Sequence, residues 1–376
     1  MDGKIEIILY NAFIMGIILI IQIITLNSTR KDIYIGVRIP EEQRDDKELK
    51  HIGKQYIKTN LIIGILSITG LSYLSYIINK FGFYIIEIFV FLGITFYIYI
   101  KYNKIVKQLK KKNNWLQDGK NIVVVDTRFS LERSNKPYIS YSWFIIPIII
   151  IIINFIINLK AYPNLPSTVA TNWSLTGKIT GYKQKSPFLI YLMPLNQIII
   201  TLVMFISFKI VSWSKQQISG NNPQESIERN KKFRKIWSVY FVIIAILMNL
   251  IFTGTNLKIM GIMNFSNIVY RLMIITITGL ITISSIIISV KVGQGGSKLN
   301  LKLNNTSEFI QSGDDDGHWK FGNSIYYNPN DPSLFIEKRF GIGWTINAGR
   351  PLGMALYIII IIAVVFSIVM AILNKN

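Results

Sequence analysis

The densest group of chemistry-bearing side chains in this chain is Asp314, Asp315, Asp316 and His318. Three carboxylates and an imidazole this close can hold a divalent cation through hard oxygen ligands. The spacing lacks the further acidic positions of an EF-hand loop, so a solvated acidic turn is the stronger reading. The second histidine, His51, has no partner motif such as His-Glu-x-x-His, and there is no Gly-x-Ser-x-Gly, phosphate loop or membrane-protease motif. Cysteine is absent, which excludes disulfides, thiolate nucleophiles and cysteine metal sites. The expectation is a protein that is not an enzyme and needs no metal or cofactor.

Two further ionisable residues, Glu87 and Arg271, fall inside strongly apolar segments. Charge there is costly unless it is paired, wetted or near an interface. Either the two meet as an intramembrane polar pair, or each reaches separately for the interface. Asn154, Asn158, Asn196, Gln197 and Asn249 add polar groups to apolar segments, and Pro194 in the fifth segment leaves one helical carbonyl unpaired.

The elements that must position these residues are membrane spans. Of 376 residues, 51% are hydrophobic and only 16% charged, against about 25% charged in an ordinary soluble chain. Mean hydropathy is +0.39. Eight segments are long and apolar enough to cross ~30 Å of hydrocarbon: 5–26, 59–78, 83–100, 143–159, 188–208, 236–253, 267–290 and 352–373. The first is too long, and too poor in flanking charge and small residues, for a cleavable signal peptide. No internal repeat of the kind that marks many transporters is visible.

Lys and Arg total 41 against 20 Asp and Glu, a net charge of +21. The excess lies between the apolar segments and not on one contiguous domain, which argues against nucleic-acid binding and for the positive-inside rule. Gaps 27–58, 101–142, 209–235 and 291–351 hold 32 of the basic residues, and the alternate gaps and termini hold 8. That alternation places the four basic gaps in the cytoplasm and both termini outside. The heavy use of Ile, Lys and Asn suggests an AT-rich genome, hence a Gram-positive bacterial plasma membrane.

In the first basic gap, Pro40 followed by Glu41 and Glu42 reads as a helix start. Leu49, Ile52, Gly53 and Tyr56 then share one face, as in an amphipathic helix on the inner membrane surface or a solvated connector. In the second gap, Lys110, Lys111 and Lys112 form a basic run, read as a topological signal before attraction to anionic lipid, and Ile122 to Val125 is a short β-prone run. The alternate gap 160–187 is a compact loop with Trp173, Gly177, Gly181 and Tyr182 as turns and aromatic anchors. In the last basic gap, two or three short strands flank a turn at Asn328-Pro329-Asn330-Asp331-Pro332.

The order Leu165-Pro166, Val169, Trp173, Gly177, Gly181-Tyr182, then Lys183 and an apolar span, resembles a loop domain of unknown function in bacterial multi-pass proteins. Its best-known setting is the SdpI family, immunity proteins against the sporulation-delaying toxin. Family members often carry Pro, His and Asp where this chain has Ala170, Asn172 and Thr180, so no chemistry of those groups is implied here. Gly36-Val37-Arg38-Ile39-Pro40 resembles that family's Gly-x-Arg-Thr-Pro segment, placed here before the loop domain instead of after it. The stretches from Tyr327 to Pro332 and from Gly341 to Asn347 resemble a second small domain of unknown function, found at the carboxy-terminal end of bacterial membrane proteins that carry the loop domain.

The expected fold is an all-α integral membrane helix bundle of about eight transmembrane helices, with a small cytoplasmic β-rich element near the C-terminus. Its expected parts are residues 1–142 (three helices and two basic loops), 143–210 (the helix-loop-helix domain), 211–290 (helices six and seven), 291–312 (a linker), 313–350 (the β-rich element) and 351–376 (the last helix). The resemblance implies immunity or envelope-stress signalling against a toxin or antimicrobial peptide. The implied recognition surface is Pro166, Trp173, Gly177, Gly181, Tyr182 and Lys183. Trp319, Tyr327, Pro329, Asp331, Gly341, Gly343 and Trp344 form the candidate cytoplasmic element. The expected partners are the lipid bilayer, a peptide toxin at the outer face and a cytoplasmic regulatory protein. A regulatory or scaffold subunit of a membrane complex, or a transporter, is the alternative.

Overall fold

The structure, a computed structural model, describes residues 3–115, 138–173, 179–216, 223–263, 267–300 and 315–373. Among them are eight long apolar helices: α1 Gly3–Ser28, α2 Lys47–Ile78, α3 Phe81–Lys112, α4 Ile145–Ala161, α5 Phe188–Trp213, α6 Pro223–Ile259, α7 Asn267–Val292 and α8 Pro351–Leu373. All eight are long and apolar enough to cross a membrane. Large apolar side chains stay exposed along them, such as Ile148, Ile152 and Ile156 on α4 and Ile359, Ile362 and Phe366 on α8. Patches of that extent on a soluble surface would aggregate. They imply a lipid environment.

The spans fall where the apolar runs placed them, but three helices run well past the hydrocarbon. Helices α2 and α3 have 32 residues each and α6 has 37. At 1.5 Å per residue these reach about 48 and 55 Å, against ~30 Å of hydrocarbon. The surplus on α2 and α3 lies at the ends carrying Lys47 to Lys58 and Lys101 to Lys112.

The chain divides into two compact units. One unit contains Asn135–Ser212 and Arg234–Ile287. Here α4 and α5 flank a hairpin of β3 Thr168–Trp173 and β4 Ile179–Gln184. Pro147 sits in the first turn of α4, where a missing N–H costs nothing. One apolar core gathers Phe144, Phe208, Val242 and Ala245. A second gathers Leu165, Val169, Leu189, Ile259 and Met260 beneath the hairpin.

The other unit contains Asp2–Ser134, Trp213–Phe233 and Ile288–Asn376. Here α1, α2, α3 and α8 pack together. After α1 comes a tight hairpin, β1 Ile33–Tyr34 and β2 Val37–Arg38. Its two turn residues, Ile35 and Gly36, have φ of 43° and 78°, as a two-residue hairpin with matching twist requires. Positive φ strains the β-branched Ile35. Burial of its side chain and a 2.7 Å hydrogen bond from Asn103 to its carbonyl hold it there.

Three expectations change at this point. After Pro40 the chain makes only a short 3-10 turn, Glu41–Asp45, and α2 starts later, where the Asp46 carboxylate accepts the Leu49 N–H at 2.9 Å. The better side-chain cap wins over the proline. The face of Leu49, Ile52, Gly53 and Tyr56 does not lie on a membrane surface or in solvent. It packs in one core with Tyr34, Val37, Ile39, Tyr99 and Val106. Lys110 is buried against protein and reaches Asp316 at 2.7 Å, whereas Lys111 and Lys112 stay exposed. The β-prone run 122–125 lies outside the described residues.

Near the C-terminus, among the described residues, four short strands form where two or three were expected, in two antiparallel pairs: β5 Trp319–Lys320 with β6 Ile325–Tyr326, and β7 Phe335–Glu337 with β8 Trp344–Ile346. The Asn-Pro turn lies between the pairs, as the sequence predicts.

Candidate functional site

In the hairpin between α4 and α5, Thr168 pairs with Gln184, Val169 with Lys183 and Ala170 with Tyr182. The register then shifts, and Asn172 pairs with Gly181 and Trp173 with Ile179. A Cβ on Gly181 would press on the Asn172 side chain at 3.2 Å. Strand β3 turns Val169 and Thr171 inward, while every β4 residue except Gly181 is exposed. Tyr182 is 64% exposed. This sheet has only two strands, so β4 has a free edge among the described residues.

Several side chains fix the hairpin to its helices. The Trp173 and Tyr270 rings meet edge to face, with centroids 6.1 Å apart. Lys258 Nζ lies 4.6 and 4.4 Å from those two ring centroids, within cation–π range. Trp173 is therefore tied to α6 and α7. Lys185 donates to the carbonyls of Pro163 and Leu165 at 2.8 and 2.9 Å and closes the base of the loop. Pro166 is exposed at the start of β3, and Lys183 Nζ lies over the Phe188 ring. Gly177 lies outside the described residues.

Below the hairpin, α4, α5 and α6 share a ladder of buried amides. Asn154 donates to Thr253 Oγ1 at 2.7 Å, and Asn256 donates to Asn158 Oδ1 at 2.7 Å. Gln197 donates to the Asn249 carbonyl, and Asn249 donates to Thr201 Oγ1. Asn158 donates to the Ile190 carbonyl at 2.8 Å. That is the carbonyl four residues before Pro194, which has no N–H to offer it. Asn196, by contrast, turns back to the Leu192 carbonyl of its own helix. Asn256 is the member that sequence reading missed, and its signal was its place seven residues after Asn249, on the same helical face.

Glu87 lies six residues after Phe81 at the start of α3 and is wholly buried among protein side chains. Asn11 on α1 and Ser75 on α2 each donate to one of its carboxylate oxygens. Arg271 lies on α7, in the other unit.

The carboxy-terminal element is built around charge that the sequence reads as solvated. Arg30 holds Asp32 through two contacts of 2.9 and 3.1 Å. Arg38 reaches Asp315 at 3.1 Å and Asp32 at 3.7 Å. Arg339 pairs with both Asp315 and Asp316, and Glu337 takes Asn230 at 2.7 Å with Arg30 at 3.9 Å. With Lys110 on Asp316, four cations face four carboxylates. Burial alone would push the Asp315 carboxyl up, but the Arg339 and Arg38 guanidiniums pull it down to about 2. The same guanidinium and the Lys110 ammonium lower Asp316 against its burial. These two aspartates are thus neither a solvated turn nor a cation cup. Among the described residues no cluster of acidic and histidine side chains could hold a metal. Asp314 lies outside them.

The candidate element residues divide by role. Trp319 is buried with its ring 4.9 Å from the Arg339 guanidinium. Asp331 accepts from Tyr326 at 3.0 Å, from Lys215 at 2.7 Å and from the Ser333 N–H at 2.9 Å. Gly343, at φ 113°, exchanges two backbone hydrogen bonds with the Gln294 side chain. Trp344 lies against Phe233. Pro329, Tyr327 and Gly341 remain outside the buried network, and Tyr327 is partly exposed.

Two family profiles match the chain. A domain of unknown function (DUF1648) matches residues 149–198, from α4 through the hairpin to the Pro194 region of α5. A family of unknown function (DUF5808) matches residues 329–354, from the Asn-Pro turn to the start of α8. No curated protein and no solved structure matches. The chain is a multi-pass membrane protein carrying these two domains.

Proposed function

We infer that this protein is a receptor-like immunity or envelope-stress protein that binds a peptide toxin or antimicrobial peptide at its hairpin. One observation carries the reading: β4 offers a free strand edge with exposed Ile179, Tyr182 and Lys183, on a hairpin locked by Trp173. An extended peptide can add to such an edge through its backbone, while aromatic and basic side chains select its sequence. The positive-inside count supports a hairpin outside a bacterial plasma membrane, with both termini on that side. The resemblance to the SdpI family supports the class of ligand.

On this reading the chain acts by binding and not by catalysis. Occupancy at the hairpin would reach α6 and α7 through Trp173, Lys258 and Tyr270. The ion-paired element at the C-terminus would present the result to a cytoplasmic regulatory protein. Expression in a toxin-sensitive host should raise tolerance to the peptide, and Trp173→Ala should abolish that gain. Deletion of the gene with no change in tolerance to any envelope-active peptide would end this reading.

A further inference from the structure

Asp32, Asp315, Asp316, Asp331 and Glu337 are buried or partly buried carboxylates, and each has a guanidinium or ammonium within 4 Å. Glu6 and Glu87 do not. Glu6 lies in the first turn of α1 and is 9% exposed, whereas Glu87 is wholly buried within the apolar part of α3, and its hydrogen bonds come from the neutral side chains Asn11 and Ser75. Among the described residues no cation accompanies it. Neutral donors orient a carboxylate without supplying the opposite charge that a low-dielectric site demands. Intramembrane carboxylates in that position mark ion pathways or proton sites.

The surroundings are rich in oxygen. Ser75 Oγ faces one carboxylate oxygen, and the Asn11 amide bridges the other to the Tyr84 carbonyl, which it meets at 2.7 Å. Glu87 lies six positions after Phe81 along α3, about 9 Å of helix rise. Tyr84 spans part of that depth, donating its hydroxyl to Asn79 Oδ1 in the α2–α3 turn at 3.0 Å. Among the described residues, the other charged groups at this end are Lys4 and Glu6 on α1 and Lys80 at the turn, with the tyrosines Tyr10, Tyr76 and Tyr84 beside them. Lys4 lies over the Tyr76 ring at 4.1 Å.

We propose that Glu87 is the charged ligand of a monovalent-cation site between α1, α2 and α3, with Ser75 and the Tyr84 carbonyl as neutral oxygen ligands. The shared chemistry is neutralisation of one buried carboxylate. A proton and a sodium ion are its two possible sources. The site is independent of what the hairpin binds.

The test uses the full-length protein in detergent or lipid vesicles. A ligand that binds only the folded state raises Tm as its concentration rises. In the first arm, sodium chloride replaces N-methylglucamine chloride at constant ionic strength and pH. In the second, pH is lowered without sodium. One arm should raise the wild-type Tm by about 5 °C or more, and Glu87→Gln should lose that rise. Glu6→Gln, the neighbouring-carboxylate control, should keep it. A sodium response identifies sodium, and a response to pH alone identifies the proton. A wild type silent in both arms, or a Glu87→Gln protein that responds like wild type, overturns the proposal. Should Glu87→Gln not assemble, Ser75→Ala carries the test. It must move the midpoint of the response at least tenfold, and an unchanged midpoint overturns the site.

Discussion

Asn158 on α4 donates its Nδ2 to the carbonyl of Ile190 on α5 at 2.8 Å, filling the hydrogen bond that Pro194 removes from its own helix. In hydrocarbon an unfilled carbonyl has no water to fall back on. A proline in one helix and an asparagine in its neighbour therefore act as a single packing device within the DUF1648 match.

The two positions should be energetically coupled. Asn158→Leu is expected to destabilise the wild type by about 1–2 kcal/mol. With Pro194→Ala in place the helix supplies its own N–H, and the same substitution should cost about 1 kcal/mol less. Some cost will remain, because Asn158 Oδ1 also accepts from Asn256 at 2.7 Å. A double-mutant cycle on thermal unfolding reads this directly. Additive losses would show that Asn158 does not serve the proline.

Removing Arg339 should be among the most damaging single changes outside the helices. Its guanidinium is buried between Asp315 and Asp316 and over the Trp319 ring. Arg339→Met leaves one buried carboxylate in excess, with Asp315 held by Arg38 alone and Asp316 by Lys110 alone, at an expected cost of about 3–5 kcal/mol. Lys112→Ala breaks only an exposed 3.5 Å contact with Glu48 and should cost about 0–1 kcal/mol. Limited proteolysis at residues 315–350 should separate the two variants.

That network shows what was legible in the sequence. The spans were, because about twenty apolar residues have one physical meaning in any context. The strand pairs around Pro329 were, because their turn chemistry is local. The ion pairs were not. Arg38 and Asp315 are 277 residues apart, and charge counting treats Arg30, Arg38, Lys110 and Arg339 as solvated markers of one membrane side. The local trace was the i,i+2 spacing of Glu337 and Arg339, which in an extended run would put two charges on one face, although β7 ends at Glu337. Likewise, the apolar face of Leu49 and Tyr56 was visible, but not that β1, β2 and α3 cover it. For the candidate site, Trp173 and Tyr182 were named from the loop's aromatic character and the family resemblance, while Lys258 and Tyr270 were not, because they come from distant helices.

Acid should loosen the carboxy-terminal element in a defined window. The folded Asp315 carboxyl titrates near 2, below its ordinary value of 3.8. A carboxylate depressed on folding contributes stability that is complete above the unfolded value and is lost as pH falls through the folded one. The contribution is about 2 kcal/mol, present at neutral pH and fading between about pH 4 and 2. Asp315→Asn should flatten that part of the stability profile. A wild-type profile unchanged by the substitution would mean that Asp315 does not carry it.

Asn347 is the residue on which the DUF5808 stretch closes. Its buried amide donates to the carbonyls of Asn328, Asp331 and Ser333 at 2.9, 3.2 and 3.2 Å. Its Oδ1 accepts the N–H groups of Asn328 and Gly349 at 3.0 and 2.9 Å. One side chain thus joins the Asn-Pro turn to the end of β8 and to the entry of α8. Asn347→Ala should cost about 3 kcal/mol or more, roughly one for each carbonyl left unpaired. Asn347→Asp keeps the acceptor but loses every donor and adds a buried charge, so it should do no better. Hydrogen exchange should then rise across 325–350 while the core of α2 and α3 keeps its protection. If Asn347→Asp behaved like wild type, the donors would be irrelevant and the turn would be held by its prolines alone.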